Sequence, residues 1–250
     1  MQAVSTLIEF LALLACVCLS VAAIFLATGI ALHAYNARHP QRRIQQRRNL
    51  PSRKELRQAP FSILTLSFWF SLGLFAQAKG WTIAPITLHW WNLGPLLLGS
   101  IILYDAWFYW VHRLMHLRAV WPVHALHHRS HAPTAWSNNY DSVLDSTLCQ
   151  LYFAIVPFVL PVPAAVLIAH KVYDQVSGMV GHCGYEHSAS RWARAPWPLA
   201  STLFHDLHHA KIGCNFAHSF TLWDRWMGTL HPQYDAMMAQ RQADLARAAA

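Results

Sequence analysis

Charge is scarce in this chain. Asp, Glu, Lys and Arg make up 12% of its 250 residues, with 11 acidic residues against 19 basic ones. So little charge beside 55% apolar residues excludes both an ordinary soluble domain and a disordered polar chain. Cysteine is sparse as well. Cys16, Cys18, Cys149, Cys183 and Cys214 are scattered, and no C-x-x-C pair of the zinc or dithiol kind occurs, so they read as small core residues. The chain has no glycine-rich dinucleotide motif and no recognisable fused cytochrome, so electrons for any redox reaction come from elsewhere. No nucleic-acid-binding module accompanies the net charge of +8, and nucleic acid is not expected as a partner. Low-complexity stretches, internal repeats and long linkers are also missing, which leaves one membrane-embedded domain.

Long apolar runs are what the sequence has instead. Residues 5–32 are interrupted mainly by Glu9, and the run exceeds the roughly 20 residues that cross about 30 Å of hydrocarbon. Its start lacks a basic region, so the segment reads as a retained anchor and not a cleaved signal peptide. Further spans are expected at 61–78 and 91–111. The stretch 143–182 is apolar on both sides of Pro157, Pro161 and Pro163, which break a single helix. It is expected to form a helical hairpin, either fully spanning or re-entrant. Arg38, Arg42, Arg43, Arg47, Arg48, Arg53, Lys54 and Arg57 lie between the first two spans, and the next loop carries Lys79 alone. The bias places the first loop in the cytoplasm, against anionic lipid headgroups. The third span then ends on the cytoplasmic side, and the hairpin starts and finishes there. The many tryptophans have a plain role as an interfacial belt.

That topology matters because of the histidines. Ten of the seventeen fall into four groups: His112 and His116; His124, His127 and His128; His182 and His187; His205, His208 and His209. Rings at i and i+4 share one helix face, and the pattern H-x-x-H-H occurs twice. All four groups lie on the same side of the membrane in the topology above. Ten imidazoles are too many for one metal ion and suit two. Imidazole binds iron, zinc, copper and nickel alike, but closed zinc sites are rich in cysteine and hydrolytic ones use about three protein ligands. Two five- or six-coordinate metals with positions open to oxygen fit better, and iron suits that redox task. His131, His170 and His218 fall outside the groups and are expected not to ligate.

Neighbouring residues extend the site. Asp105, Tyr109, His112 and His116 recur at intervals of four, three and four, on one face of the third span. An ionisable group inside a span is functional by default, and Asp105 is expected to accept a hydrogen bond from the free nitrogen of His112 or a neighbouring ring. Glu186, Asp206, Asn215 and Asp224 are weaker candidates for the same task. Pro122 suits the first turn of a helix carrying His124 to His128, with Pro133 beyond its end. Ser201 or Thr202 suits the cap of a helix carrying His205 to His209, with Gly213 as its terminator.

These motifs, in the order Asp105-x3-Tyr109-x2-His112-Arg113-x2-His116, His124-x2-His127-His128, His182-x4-His187 and His205-Asp206-Leu207-His208-His209, resemble the fatty acid hydroxylase and sterol desaturase superfamily. So does the closing segment Asn215-Phe216, Thr221-Leu222-Trp223-Asp224-Arg225 and Gly228-Thr229. The resemblance covers about residues 95–230. It implies an all-α bundle of about four to five membrane helices under a cytoplasmic, histidine-rich helical cap. Residues 1–90 would form the anchor, 91–235 the catalytic region and 236–250 a tail. It further implies two iron ions held by the ten histidines, with His182 a firmer match than His187, and catalytic roles for Asp105, Tyr109 and Asn215. The expected reaction is hydroxylation or desaturation of a membrane lipid (sterol or hopanoid, fatty acyl or ether lipid) by dioxygen. Two electrons come from a ferredoxin, cytochrome or reductase partner. The expected location is a bacterial inner membrane. The alternatives from other classes are a zinc-dependent lipid hydrolase, which needs neither oxygen nor reductant, and a metal-binding or transport protein without oxidative catalysis.

Overall fold

Residues 2–45 and 51–249 are described by the computed structural model. Among them the chain is helical, with no strand and two isolated bridges, Arg43 with Tyr185 and Leu199 with Phe220. Three helices are long and apolar enough to cross a membrane: α1 (Gln2–Arg38), α2 (Arg53–Ala78) and α3 (Leu93–Met115). A short helix α4 (Trp121–His124) leads through tight turns to the hairpin of α5 (Val143–Val159) and α6 (Ala164–His182). Then come α7 (Thr202–Lys211), α8 (Leu222–Trp226) and α9 (Tyr234–Ala249).

Local chemistry starts these helices where they are needed. Ser52 and Glu55 form a reciprocal capping box at the head of α2. Glu55 also takes hydrogen bonds from Ser130 and Ser137, which ties that helix end to the segment after the second histidine group. Ser142 accepts from the Asp145 amide to cap α5 and donates to Val123 O at 2.8 Å, fastening the α5 start to α4. Ser201 caps α7 through the Phe204 amide, as expected.

α2 packs along α5 and against α1, closely enough that Gly73 faces the Phe153 carbonyl with no room for a Cβ. The shared core runs from Val21 and Phe25 of α1 through Leu66 and Phe70 to Tyr104, Phe153, Leu167 and Met179. Much of α1 stays exposed and apolar, including Leu11, Leu19, Leu26 and Ile30, which suits a helix facing lipid. α5 rises about 25 Å at 1.5 Å per residue, short of a typical hydrocarbon core. Pro157 lies within its last turn, so the break falls later than Pro157, at Leu160 to Pro163. That turn is bonded to the segment after α2: Gln77 donates to Val162 O, and the Ile83 and Ile86 amides to Pro157 O and Pro161 O.

The ends matter most. α3 and α6 both finish in histidines, and α5 and α7 begin beside them, so these helix ends form one layer. The basic loop after α1 lies on that layer. Ile44 N donates to Gly184 O, Glu186 N to Arg42 O and Gln45 Nε2 to Asp206 Oδ1. Arg47 and Arg48 lie outside the described residues. At the opposite end Lys79 pairs with Glu9.

Three local expectations need correction. The segment His124–His128 is not one helix: α4 ends at His124 and a 3-10 turn spans His127–Arg129, which lets adjacent rings face different ways. α7 is terminated by Ile212 and not by Gly213. Ile212 takes a φ of 61°, uncommon for a β-branched residue, because the chain must turn back at once for Cys214 O to reach His208. Finally, the segment after 236 continues α9 instead of trailing as a tail. Tyr234 and Met238 are fully buried in a second core with Phe204, Leu207 and Phe216.

Candidate metal centre

Nine of the ten grouped histidines converge, and they sort into two adjoining sets. His112, His116, His124, His128 and His208 form one; His127, His182, His205 and His209 form the other. Within each set the nearest ring nitrogens all lie within 4.8 Å of one another. The repeated H-x-x-H-H motifs each straddle both sets. His124 and His128 belong to the first while His127 belongs to the second; His205 and His209 belong to the second while His208 crosses to the first. Four segments distant in sequence therefore build the two sets, and the two crossing motifs contribute to both.

Hydrogen bonds on the outer nitrogens show what the inner ones are doing. His112 Nδ1 donates to Phe216 O at 2.7 Å, His182 Nδ1 to Gly178 O at 2.7 Å and His208 Nδ1 to Cys214 O at 2.7 Å. Two more rings face carboxylates: His124 Nδ1 lies 2.7 Å from Asp145 Oδ2, and His127 Nδ1 lies 3.1 Å from Asp141 Oδ1. A neutral imidazole has one N–H, and here it points outward. The inner Nε2 atoms then carry lone pairs. Yet His112 Nε2 and His124 Nε2 stand 3.0 Å apart, and His127 Nε2 and His182 Nε2 stand 3.1 Å apart. Two lone pairs aimed at each other repel, and a cation between them turns that repulsion into ligation. One such pair falls in each set, so the donor chemistry fits two metal ions.

Electrostatics agree. Burial, and after it the neighbouring rings, holds His205, His208 and His209 well below the ordinary histidine range. The same causes bring His116 down to about 2, with His112 its largest neighbour. Rings so perturbed are neutral at physiological pH and present lone pairs without first losing a proton.

The tenth histidine does not join. His187 is half-buried, its ring tilted against Tyr35 of α1 at 5.4 Å, and its Nε2 has no partner. The turn at Gly184, with φ of 72°, sends the chain away from the metal sets towards Arg42 and α1. His187 is therefore removed from the ligand set. His170 and His218 lie outside both sets.

The non-histidine residues act at one remove. Asp105 touches no ligand ring; it accepts the backbone amides of His218, Ser219 and Phe220 at 3.1, 2.6 and 3.2 Å. Asp224 accepts those of Phe216 and Ala217 at 2.8 and 2.9 Å, and burial raises its pKa above the usual carboxylate range. The loop between them presents Phe216 O to His112. Asn215, at a φ of 59°, bonds Phe204 O and accepts from the His231 amide, holding the same loop. Tyr109 stands 3.1 Å from Thr229 Oγ1 and accepts from Arg113. Asp105, Tyr109 and Asn215 thus brace the closing loop and do not reach the metal sets. Glu186 accepts the Ser188 and Leu203 amides, and Asp206, pushed up to about 6 by burial, meets Gln45. The carboxylates that do hold rings of the two sets, Asp141 and Asp145, were not singled out from sequence. Their signal was an i, i+4 acidic pair at the start of an apolar helix.

A cavity of about 590 Å³ opens beside the rings, lined by His112, His124, His127, His182 and His205, by Phe108, whose ring lies 5.1 Å from that of His112, and by Leu66.

The fatty acid hydroxylase family model matches residues 97–229, a stretch holding all nine clustered histidines. The chain belongs to the fatty acid hydroxylase family. Methylsterol monooxygenase 1 of Gallus gallus is 29% identical over 56% of this chain and 48% of its own length. A cholesterol 25-hydroxylase-like protein of Danio rerio is 29% identical over 69% of this chain and 66% of its own. Cholesterol 25-hydroxylase of Rattus norvegicus is 29% identical over 59% and 56%. The chain thus matches about half to two thirds of the length of these curated relatives. No solved structure matches it.

Proposed function

We propose that this membrane protein is a non-haem di-iron oxygenase that hydroxylates or desaturates a lipid, using dioxygen and two electrons from a separate donor. The donor class is a ferredoxin, cytochrome or reductase, and the metal centre faces the cytoplasm. One observation carries the reading: two adjoining sets of inward-facing imidazole lone pairs meet at the end of a cavity that runs into the membrane-spanning part of the bundle. Two irons held by the five-ring and four-ring sets would supply the redox chemistry that activates dioxygen against an unactivated C–H bond. The names of the relatives, a methylsterol monooxygenase and cholesterol hydroxylases, support a lipid substrate.

The chain's own residues do the rest. Asp141 and Asp145 fix the orientation of His127 and His124 and strengthen these rings as ligands. The Asp105 and Asp224 clamps hold Phe216 O where it fixes His112. Leu66 and Phe108 give the cavity an apolar wall against which a lipid chain would pack. The site's all-nitrogen donor set, with no exposed carboxylate or thiolate ligand, speaks against a closed zinc site. Purified protein given reductant, a donor protein and lipid extract should consume oxygen and place label from isotopic oxygen gas in any hydroxylated product. Product label from water, or lipid turnover without oxygen and reductant, overturns the oxygenase reading.

A further inference from the structure

The deep wall of the cavity carries a buried ion pair that the metal chemistry does not use. Lys171 Nζ bonds Asp174 Oδ2 and the Gln150 side-chain oxygen, and Gln150 Nε2 donates to the Tyr104 hydroxyl at 3.1 Å. His218 Nε2 faces the other Asp174 oxygen at 3.8 Å, beyond hydrogen-bond length. Lys171 and Asp174 are 3% and 7% exposed, and all five residues line the cavity. Replacing such a pair with apolar side chains is often neutral or stabilising, so fold stability is a poor reason for its presence. Ionisable groups at membrane depth mark functional sites instead.

Its position is set by three helices. Asp174 precedes His182 by eight residues on α6, and Tyr104 precedes His112 by eight on α3, so both sit about 12 Å below the histidine layer. Gln150 lies five residues into α5 from Asp145, about 7.5 Å below it. The cluster and the metal sets thus stand at different depths of one cavity.

We infer that Lys171, Asp174, Gln150 and Tyr104 form an anchoring site for the hydroxyl group of a lipid alcohol, placing a carbon remote from that hydroxyl at the metal centre. The inference rests on the lipid-oxygenase reading above. The pair's charges cancel, and the cluster offers both donors and acceptors. A hydroxyl gives and accepts hydrogen bonds and adds no charge. A carboxylate would meet the Asp174 oxygens in a low-dielectric pocket and be repelled, whereas an alkane end would add no hydrogen bond to the cluster. The shared chemistry covers a sterol and a fatty alcohol.

Scintillation proximity binding to the metal-loaded protein in detergent tests this with labelled cholesterol, hexadecan-1-ol, hexadecanoate and hexadecane. One or both alcohols should bind at least about tenfold more tightly than the acid and the alkane, a difference of about 1.4 kcal/mol. Which of the two wins separates a ring lipid from a chain lipid. The double variant Lys171→Met/Asp174→Leu removes both charges together and should lose that preference while keeping its metal. Gln150→Leu should weaken it. Equal binding of alcohol, acid and alkane by the unaltered protein overturns the anchor but leaves the oxygenase reading intact. So does an alcohol preference that survives the folded double variant. If none of the four lipids binds, the lipid reading of the cavity fails with it.

Discussion

Asp145 Oδ2 stands 2.7 Å from His124 Nδ1, which leaves Nε2 of that ring to face the other histidines. Its charge makes the ring a better ligand, so Asp145→Asn should weaken metal affinity about 10- to 100-fold, read by competition against a chelator. His187→Ala should leave the same affinity unchanged, because that ring packs on Tyr35 outside both sets. Unaltered affinity in Asp145→Asn would show that the carboxylate only fills space. The residue scale is also where sequence reading succeeds and fails most sharply. The clustering of nine histidines was legible because rings at i, i+3 and i+4 share a helix face and recur in four groups. Asp145 and Asp141 were not, since they reach their rings across 21 and 14 residues through a loop with no periodicity. Asp105 was singled out for the correct physical reason, a charge inside a span, but tied to the wrong partner. Three backbone amides from the closing loop claim it first.

At the scale of elements, the two H-x-x-H-H motifs work as crossed clasps. In each, the i and i+4 rings serve one set and the ring between serves the other, so α4 with its 3-10 turn, and α7, each contribute rings to both sets. The chain breaks after His124 instead of running as the single helix expected over His124–His128, yet the unbroken α7 divides its three rings between the sets in the same way. That break was hidden because Pro122 and Pro133 mark only where a helix can begin and end. Crossed ligation has a measurable consequence. His128→Ala removes a ring of the first set and His209→Ala one of the second, so each variant should fall from about two metals towards one and lose activity. The double variant should approach zero. Metal analysis of detergent-purified protein checks this, and total loss in either single variant would mean that the sets bind as one unit.

For the whole molecule, two independent features fix which end is which. Three helices have the length and apolarity to span, and parity puts the loop after α1, the end of α3 and both ends of the α5–α6 hairpin on one side. The basic residues of that loop were counted from sequence alone, yet the loop also proves to be bonded to the histidine layer through Ile44, Arg42 and Gln45. A chain whose positive loop lay opposite its metal sets could not make those contacts. Apolar runs made the bundle legible in advance, whereas the docking of α9 was hidden because its polar composition conceals two buried anchors, Tyr234 and Met238. The positive-inside bias supports the proposal that the shared side is cytoplasmic. In a variant lacking the native cysteines, Arg53→Cys, Arg118→Cys and Gln240→Cys should react with an impermeant maleimide only from the cytoplasmic face of sealed vesicles. Lys79→Cys, beside Glu9 at the other end, should react only from the opposite face. If positions 53 and 118 labelled from different sides, the histidines of α3 and the basic loop could not share one layer, and the arrangement of the whole site would have to be abandoned. If all four reversed together, the architecture would stand and only the assignment of the cytoplasmic face would fall.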